Sequence, residues 1–221
     1  MRATPFLVAI ILTMSGCVTM PDPVPEAYLA GTKAEQARII ESLEKAAIAK
    51  NQSVRVRKDG ESEAVRVLKV EEGRLSIMKD EKRLLEEKQR QYQLEEDSKK
   101  LEENAKLMAE KDAQIAAQAA RVEYSAARLE LARAEREVAD AELAVAVAEL
   151  NYEKAKIARD FLVARGAETA EEKKGPLAEK PEDFDQPYRK FLDKQRSILV
   201  KKNAAREEAA VKVKIADEKM K

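Results

Sequence analysis

The 221-residue chain carries 42 basic and 42 acidic residues, no His and a single Cys, and only 4 % of its residues are aromatic. A balanced charge provides no general attraction for nucleic acid, and without His or a second Cys the chain cannot form an internal disulfide, a Cys/His metal site or an imidazole-dependent nucleophile. The 38 % of charged residues, with abundant Ala, Glu, Lys, Leu and Arg, predict long helices or a coiled coil. We therefore expect an all-α chain that is not an enzyme and has no cofactor, metal or nucleic-acid partner.

Residues 1–16 have the layout of a secretory signal peptide. Arg2 provides a positive charge, Phe6 to Met14 is an apolar run of nine residues, and the small residues Ser15 and Gly16 follow directly. The apolar run is too short to span a bilayer. We expect this segment to be an export signal that is removed from the mature protein.

The tetrapeptide Met14-Ser15-Gly16-Cys17 resembles the lipobox of bacterial lipoproteins, although Met14 stands where Leu is usual. The resemblance implies cleavage between Gly16 and Cys17, a diacylglycerol on the Cys17 thiol, and a fatty acyl chain such as palmitate on the new amino group. Several acyl chains anchor a protein firmly, whereas one binds only marginally. Val18 rather than Asp follows the Cys, which implies the outer membrane, facing the periplasm, rather than the inner membrane.

The mature chain is predicted to begin with a tether and a first helix. Residues 17–25 contain three prolines, which favour an extended tether. Residues 26–50 have apolar residues at helical spacing and predict a helix, and residues 51–61 predict a linker that ends it.

Residues 53–70 allow two predictions. The alternation in Val54-Arg55-Val56 and Val65-Arg66-Val67, around Asp59-Gly60, is typical of a β-hairpin. The alternative is a helix that begins near residue 62. We favour the helix, because an isolated pair of strands is marginally stable.

Residues 62–165 are predicted to form one very long coiled-coil helix, since no Gly or Pro occurs over the 92 residues from 74 to 165. Large apolar residues recur there every seven positions, and only Arg136 interrupts them. We call the following residues the seam: Leu94, Leu101, Met108, Ile115, Val122, Leu129, Leu143, Leu150 and Ile157. Such a repeat needs another helix to cover it, either in a hairpin of the same chain or in a homo-oligomer.

The C-terminal third is predicted to turn back. Residues 166–187 form an acidic linker rich in Pro and Gly, and Gly166 suits the end of a helix. Residues 188–219 form a basic helix, which we expect to lie antiparallel on the Ala-rich end of the long one. From residue 189 onward there are eleven basic and five acidic residues. This excess of positive charge is typical of a solvated packing helix or of a helix that binds anionic lipid.

These features together predict a lipid-anchored envelope lipoprotein whose coiled coil is a structural spacer or docking rod in the periplasm. Its expected partners are the membrane, through the lipid, and other helices. Lys221 is a candidate for covalent attachment to peptidoglycan, because the murein lipoprotein of enteric bacteria, which this chain resembles only in general layout, also ends in Lys. The alternative function is an accessory component of an efflux or secretion complex, since residues 129–166 look like the hairpin helices of periplasmic adaptor proteins.

Overall fold

The computed structural model describes residues 20–168 and 181–220. Three α-helices account for most of them: α1 (Ala34–Leu94), α2 (Ser98–Glu168) and α3 (Gln186–Met220). Two short 3₁₀ turns, Glu26–Leu29 and Pro181–Asp183, precede α1 and α3, and no strand occurs in these two ranges. The predicted all-α fold with a helical hairpin is confirmed.

The boundaries predicted for the first half of the chain are wrong. Helix α1 begins at Ala34 rather than at residue 26, and it runs without interruption through the predicted linker 51–61 and the predicted hairpin region 53–70. Gly60 and Gly73 both lie inside α1, on its open side, where an added Cβ would meet nothing within 4 Å. Each glycine costs a helix about 1 kcal/mol, and the packing of α1 on α2 offsets that cost.

The predicted single helix 62–165 is also wrong, because the chain reverses at residues 95–97. Glu96 adopts the left-handed conformation, with φ of 54°, although it is not a glycine. The Asp97 amide donates a hydrogen bond to the Tyr92 carbonyl at 3.2 Å, and the Asp97 carboxylate accepts one from the Lys100 amide at 3.1 Å. Asp97 therefore closes α1 and caps the N-terminus of α2.

Helices α1 and α2 form a long antiparallel hairpin in a constant register. Ion pairs join Glu81 to Lys111 at 2.8 Å, Arg57 to Glu135 at 2.8 Å and Lys50 to Glu142 at 2.8 Å. Each step away from the turn along α1 is matched by an equal step along α2. At 1.5 Å per residue, the 61 residues of α1 make the hairpin about 90 Å long.

Helix α3 packs antiparallel on α2, as predicted, and on a different side of α2 from α1. Lys202, Lys212 and Lys219 of α3 approach α2 glutamates within 2.7, 2.7 and 2.9 Å, respectively. These partners are Glu137, Glu130 and Glu123, at seven-residue intervals along α2. Helix α2 packs extensively on both of its neighbours, and α1 and α3 have no extensive contact with each other within the described ranges.

The end of α3 divides the hairpin into two sections. In the proximal section, residues 123–165 of α2 lie between α1 and α3. In the distal section, residues 98–122 of α2 pair with α1 alone, up to the turn. Every buried apolar residue of α2 belongs to the proximal section, from Leu129 to Ala158, and Ala148, Ala155 and Ala158 are at most 1 % exposed. The core of the protein therefore lies at the end away from the turn.

Candidate functional site

The acidic side chains of the described residues lie mainly on helix surfaces. No group of three or more Asp, Glu, His or Cys side chains that could hold a metal ion occurs in residues 20–168 and 181–220. The carboxylates there are mostly partners of Lys or Arg on helix surfaces, as in the pairs Glu41–Lys45 and Glu102–Lys106. The arrangement is suited to helix packing, so its candidate sites are its interfaces and its two ends.

The seam residues of α2 face α1, and the fully buried ones all lie beyond Val122, away from the turn. Leu101, Met108, Ile115, Val122 and Leu150 are half-buried, and Leu129, Leu143 and Ile157 are buried. Arg136, which interrupts the seam, lies 2.9 Å from the Glu61 carboxylate of α1. Leu94 is the last residue of α1 and is 88 % exposed, so its assignment to the seam was wrong: the chain has already begun to turn there.

The sequence analysis did not predict the hydrogen bonds that polar side chains make across the distal interface. Asn104 is buried and donates from its amide to the Leu85 carbonyl at 3.0 Å and to the Gln89 side chain at 2.7 Å. Gln118 is also buried and donates to the Glu71 carboxylate at 2.6 Å. A buried amide in a coiled coil specifies one register, because any other pairing leaves its donors unsatisfied.

A second repeat on the far side of α2 was also missed. Small residues recur every seven positions and are buried at Ala141, Ala148 and Ala155, and Val138 is buried beside them. These positions lie opposite the seam on the helical wheel, on the side where α3 packs. The signal was present in the sequence, since alanine occupies this row without a gap from Ala113 to Ala155.

The proximal end of the hairpin holds the N-terminal segment. The Tyr28 ring lies 6.3 Å from the Phe161 ring and 6.0 Å, edge-on, from the Phe184 ring, which in turn lies 6.0 Å from Tyr188. We call these four residues the aromatic cluster. The Tyr188 hydroxyl donates to the Asp22 carbonyl at 2.6 Å, so the segment before α1 is fastened to the start of α3.

Two polar groups support this end. Burial, together with the nearby Asp22, raises the pKa of Tyr188 above its usual value, so its hydroxyl remains a donor throughout the neutral range. Arg159 of α2 lies 2.9 Å from the Asp185 carboxylate, which is almost fully buried. The chain therefore enters and α3 starts at one well-bonded end.

The distal end is a bare turn. Leu94 is exposed beside Glu95, Glu96 and Asp97. Hydrogen bonds from the backbone and side chain of Lys100 lower the pKa of Asp97 below its ordinary value of 3.8, so the cap stays ionised at neutral pH. The end offers one exposed apolar side chain among charged residues of both signs.

Several predicted residues lie outside the described residues. They are the signal segment 1–16 with Gly16, the lipid site Cys17, the first residues of the tether, residues 169–180 of the linker, and Lys221. The described end of α3 lies beside the middle of α2, because Lys219 forms an ion pair with Glu123.

The fold defines a class: an elongated three-helix rod in which one helix is shared by two antiparallel pairs. No protein family, curated protein or solved structure matches the chain. None of the helices described, in residues 20–168 or 181–220, has the length and apolar character needed to cross a membrane.

Proposed function

We propose that the chain is a lipid-anchored envelope lipoprotein whose hairpin is a spacer or docking rod in the periplasm, and that it works by helix packing rather than by catalysis. One observation carries the proposal. The segment that follows the lipobox-like motif is fastened at the proximal end, by Asp22 and the aromatic cluster, and the turn at residues 95–97 lies about 90 Å away along α1. An anchor at Cys17 would leave the turn as the free end.

The anchor is tested by replacing Cys17. The wild-type protein and a Thr19→Ala control, altered two residues beyond the motif, should incorporate an alkyne-labelled palmitate and fractionate with membranes. Cys17→Ala should do neither, because it has no thiol to acylate. A Cys17→Ala protein that is processed normally and remains with the membranes would contradict the proposal.

The rod geometry is tested with single fluorophores. Lipidation consumes the Cys17 thiol, so Leu94→Cys and Ile48→Cys each provide the one free thiol, at the turn and in the proximal section, respectively. In vesicles with an acceptor dye, the label at residue 48 should transfer energy more efficiently than the label at residue 94. Equal transfer from both positions would mean that the rod lies along the membrane, and the spacer role would be lost.

The accessory role in an efflux or secretion complex is favoured by a single observation, the exposed Leu94 at the turn. A photo-crosslinking residue at position 94 should then capture outer-membrane channel proteins in cells, and the same residue at position 48 should not. A spacer without this role gives no channel protein at either position.

Attachment of Lys221 to peptidoglycan is a separate proposal. The Lys219–Glu123 pair sets the described end of α3 about 40 Å short of the turn. Mass spectrometry of muramidase-digested cell walls should detect a peptide linked through Lys221. Its absence, with Lys221 recovered unmodified, would refute the attachment.

A further inference from the structure

One face of the hairpin has an exposed apolar surface that no helix of the chain covers. Val70, Ile77 and Leu84 repeat every seven residues along α1 and are 52–61 % exposed, and Val67 lies one turn before Val70. Leu107 of α2 is 51 % exposed. We call these five residues the apolar face. Scattered apolar residues are normal on a surface, but a straight row of them along a helix indicates a contact.

The ion pairs between α1 and α2 establish that Leu107 and the α1 row share one side of the hairpin. On a helical wheel, Glu81 of the pair with Lys111 lies on the same flank of α1 as Ile77 and Leu84. The opposite flank of α1 is charged in the same stretch, with Lys69, Glu72, Lys79, Arg83 and Glu86. The exposed large apolar residues of the two helices in the distal section therefore lie on one side of the hairpin.

We propose that two copies of this chain pack through their apolar faces into a four-helix bundle in which the two turns point the same way. The size of the surface favours a second copy. The distal section is about 37 Å long and two helices, or about 20 Å, wide, so it offers about 750 Å². A standard specific interface buries about 800 Å² on each partner.

A two-fold axis along the rod sets α1 of one copy over α2 of the other at the same level. The bonds from Asn104 to Gln89 and from Lys111 to Glu81 define that level. Leu84 of one copy then lies over Leu107 of the second copy. Lys88 of α1 reaches the level of Glu103 on α2 of the second copy, and Glu81, which pairs with Lys111 of its own chain, reaches the level of Glu110.

This geometry leaves the seam intact. The seam of each copy is already covered by α1 of its own chain. Dimerisation therefore adds a new interface and leaves the α1–α2 interface within each chain unchanged. It is independent of the lipid anchor, and a parallel arrangement would keep both proximal ends on the same side. The anchor experiments and the dimer experiments can therefore fail separately.

The test uses a chain that begins at residue 18, which keeps all the described residues. Light scattering at micromolar concentrations should give twice the monomer mass. Ile77→Glu should weaken dimerisation about 30-fold or more, because it buries an unpaired charge at the centre of the interface. Ile48→Glu is the matched control: the same residue type, on the same helix and 60 % exposed against 61 % for Ile77, but outside the apolar face. It should remain a dimer.

Circular dichroism should give the same helix content for both variants, because each replaces an exposed side chain. A wild-type chain that is monomeric at these concentrations would overturn the proposal. So would an Ile77→Glu variant that dimerises as tightly as Ile48→Glu.

Disulfide formation tests the direction of packing. The chain from residue 18 has no Cys, so Leu84→Cys and Leu107→Cys each introduce one thiol. After mixing and mild oxidation, the two variants should form a mixed disulfide-linked dimer, and Ile48→Cys mixed with Leu107→Cys should not. Absence of the 84–107 product would overturn the parallel arrangement.

Discussion

The proximal and distal sections of α2 differ in how many helices pack against them and in which side chains they bury. In the proximal section α2 is covered on two sides, and its buried residues are largely alanines such as Ala141 and Ala148. In the distal section α2 is covered on one side, its large seam residues are only half-buried, and the buried residues are Asn104 and Gln118. Small residues bring two helices close to α2 at once, whereas amides hold a single pair in register.

The difference teaches where stability and specificity lie along one continuous helix. Apolar burial contributes about 25 cal/mol per Å², so most of the folding free energy should come from the proximal section. A buried amide contributes little net energy but penalises wrong pairings by leaving polar groups unsatisfied. The distal section should therefore be the first part to open and the part that most depends on its polar contacts.

The largest expected effect tests the core of the proximal section. Leu143→Ala should lower the free energy of unfolding by about 2–5 kcal/mol, because it leaves a cavity between α1 and α2. Leu94→Ala, the same substitution at a residue that is 88 % exposed, should change it by less than about 0.5 kcal/mol. Urea denaturation followed by circular dichroism measures both. Equal effects would mean that the two sections do not differ in burial as described.

The next effect tests the polar contacts of the distal section. Gln118→Ala should cost about 1.5–3 kcal/mol, because the hydrogen bond to the Glu71 carboxylate is lost in a buried site. Gln114→Ala, one turn away and exposed, is the control and should be nearly neutral. Hydrogen exchange should locate the loss of protection in residues 98–122. Loss confined to the proximal section would contradict the division.

A third effect tests the far side of α2. Ala148→Leu should destabilise the protein by about 1–3 kcal/mol, because Ala148 is 1 % exposed and has no room for three more carbons between α2 and α3. Ala116→Leu lies on the distal section, where α2 is exposed, and should be tolerated. Thermal unfolding compares the two variants. If both are tolerated, α3 does not pack on the alanine row.

The smallest expected effect is an increase in stability from a substitution at the turn. Glu96→Gly should stabilise the hairpin by about 1 kcal/mol, because glycine adopts the left-handed conformation without the steric cost that Glu96 carries at φ of 54°. Its neighbour Glu95 has helical backbone angles, so Glu95→Gly should be destabilising instead. Urea denaturation should show opposite signs for the two variants. A loss of stability in Glu96→Gly would mean that residue 96 is not left-handed.

Much of the fold could be predicted from the sequence, because the spacing of apolar residues reports directly on helix faces. The seam from Leu101 to Ile157, the helix end near Gly166 and the antiparallel α3 all follow from periodicity and composition. The reversal at residues 95–97 could not be predicted in this way. Its left-handed residue is Glu96 and not a glycine, so the only local signal was Asp97 as a capping residue.

The pairing face of α1 was concealed by its polar residues. Lys50, Arg57 and Glu71 pair with side chains of α2. Such charged residues interrupt a face of α1 on which Leu68, Leu75, Met78 and Leu85 are half-buried. Such residues are identified only after the partner helix is known. The glycine at position 60 then suggested a break that tertiary packing overrides.

The ion pairs between α3 and α2 have a consequence for how α3 finds its position. Glu123, Glu130 and Glu137 form an evenly spaced ladder, and the lysines of α3 that meet them are separated by ten and seven residues. A slide of seven residues, about 10 Å, toward Glu137 would pair Lys212 and Lys219 with a glutamate again. It would separate Lys202 from Glu137 and Arg196 from Glu149, so the ion pairs fix the position of α3 only in part. The position of α3 is fixed at its N-terminal end. There Phe184 packs between Tyr28 and Tyr188, and Arg159 pairs with Asp185.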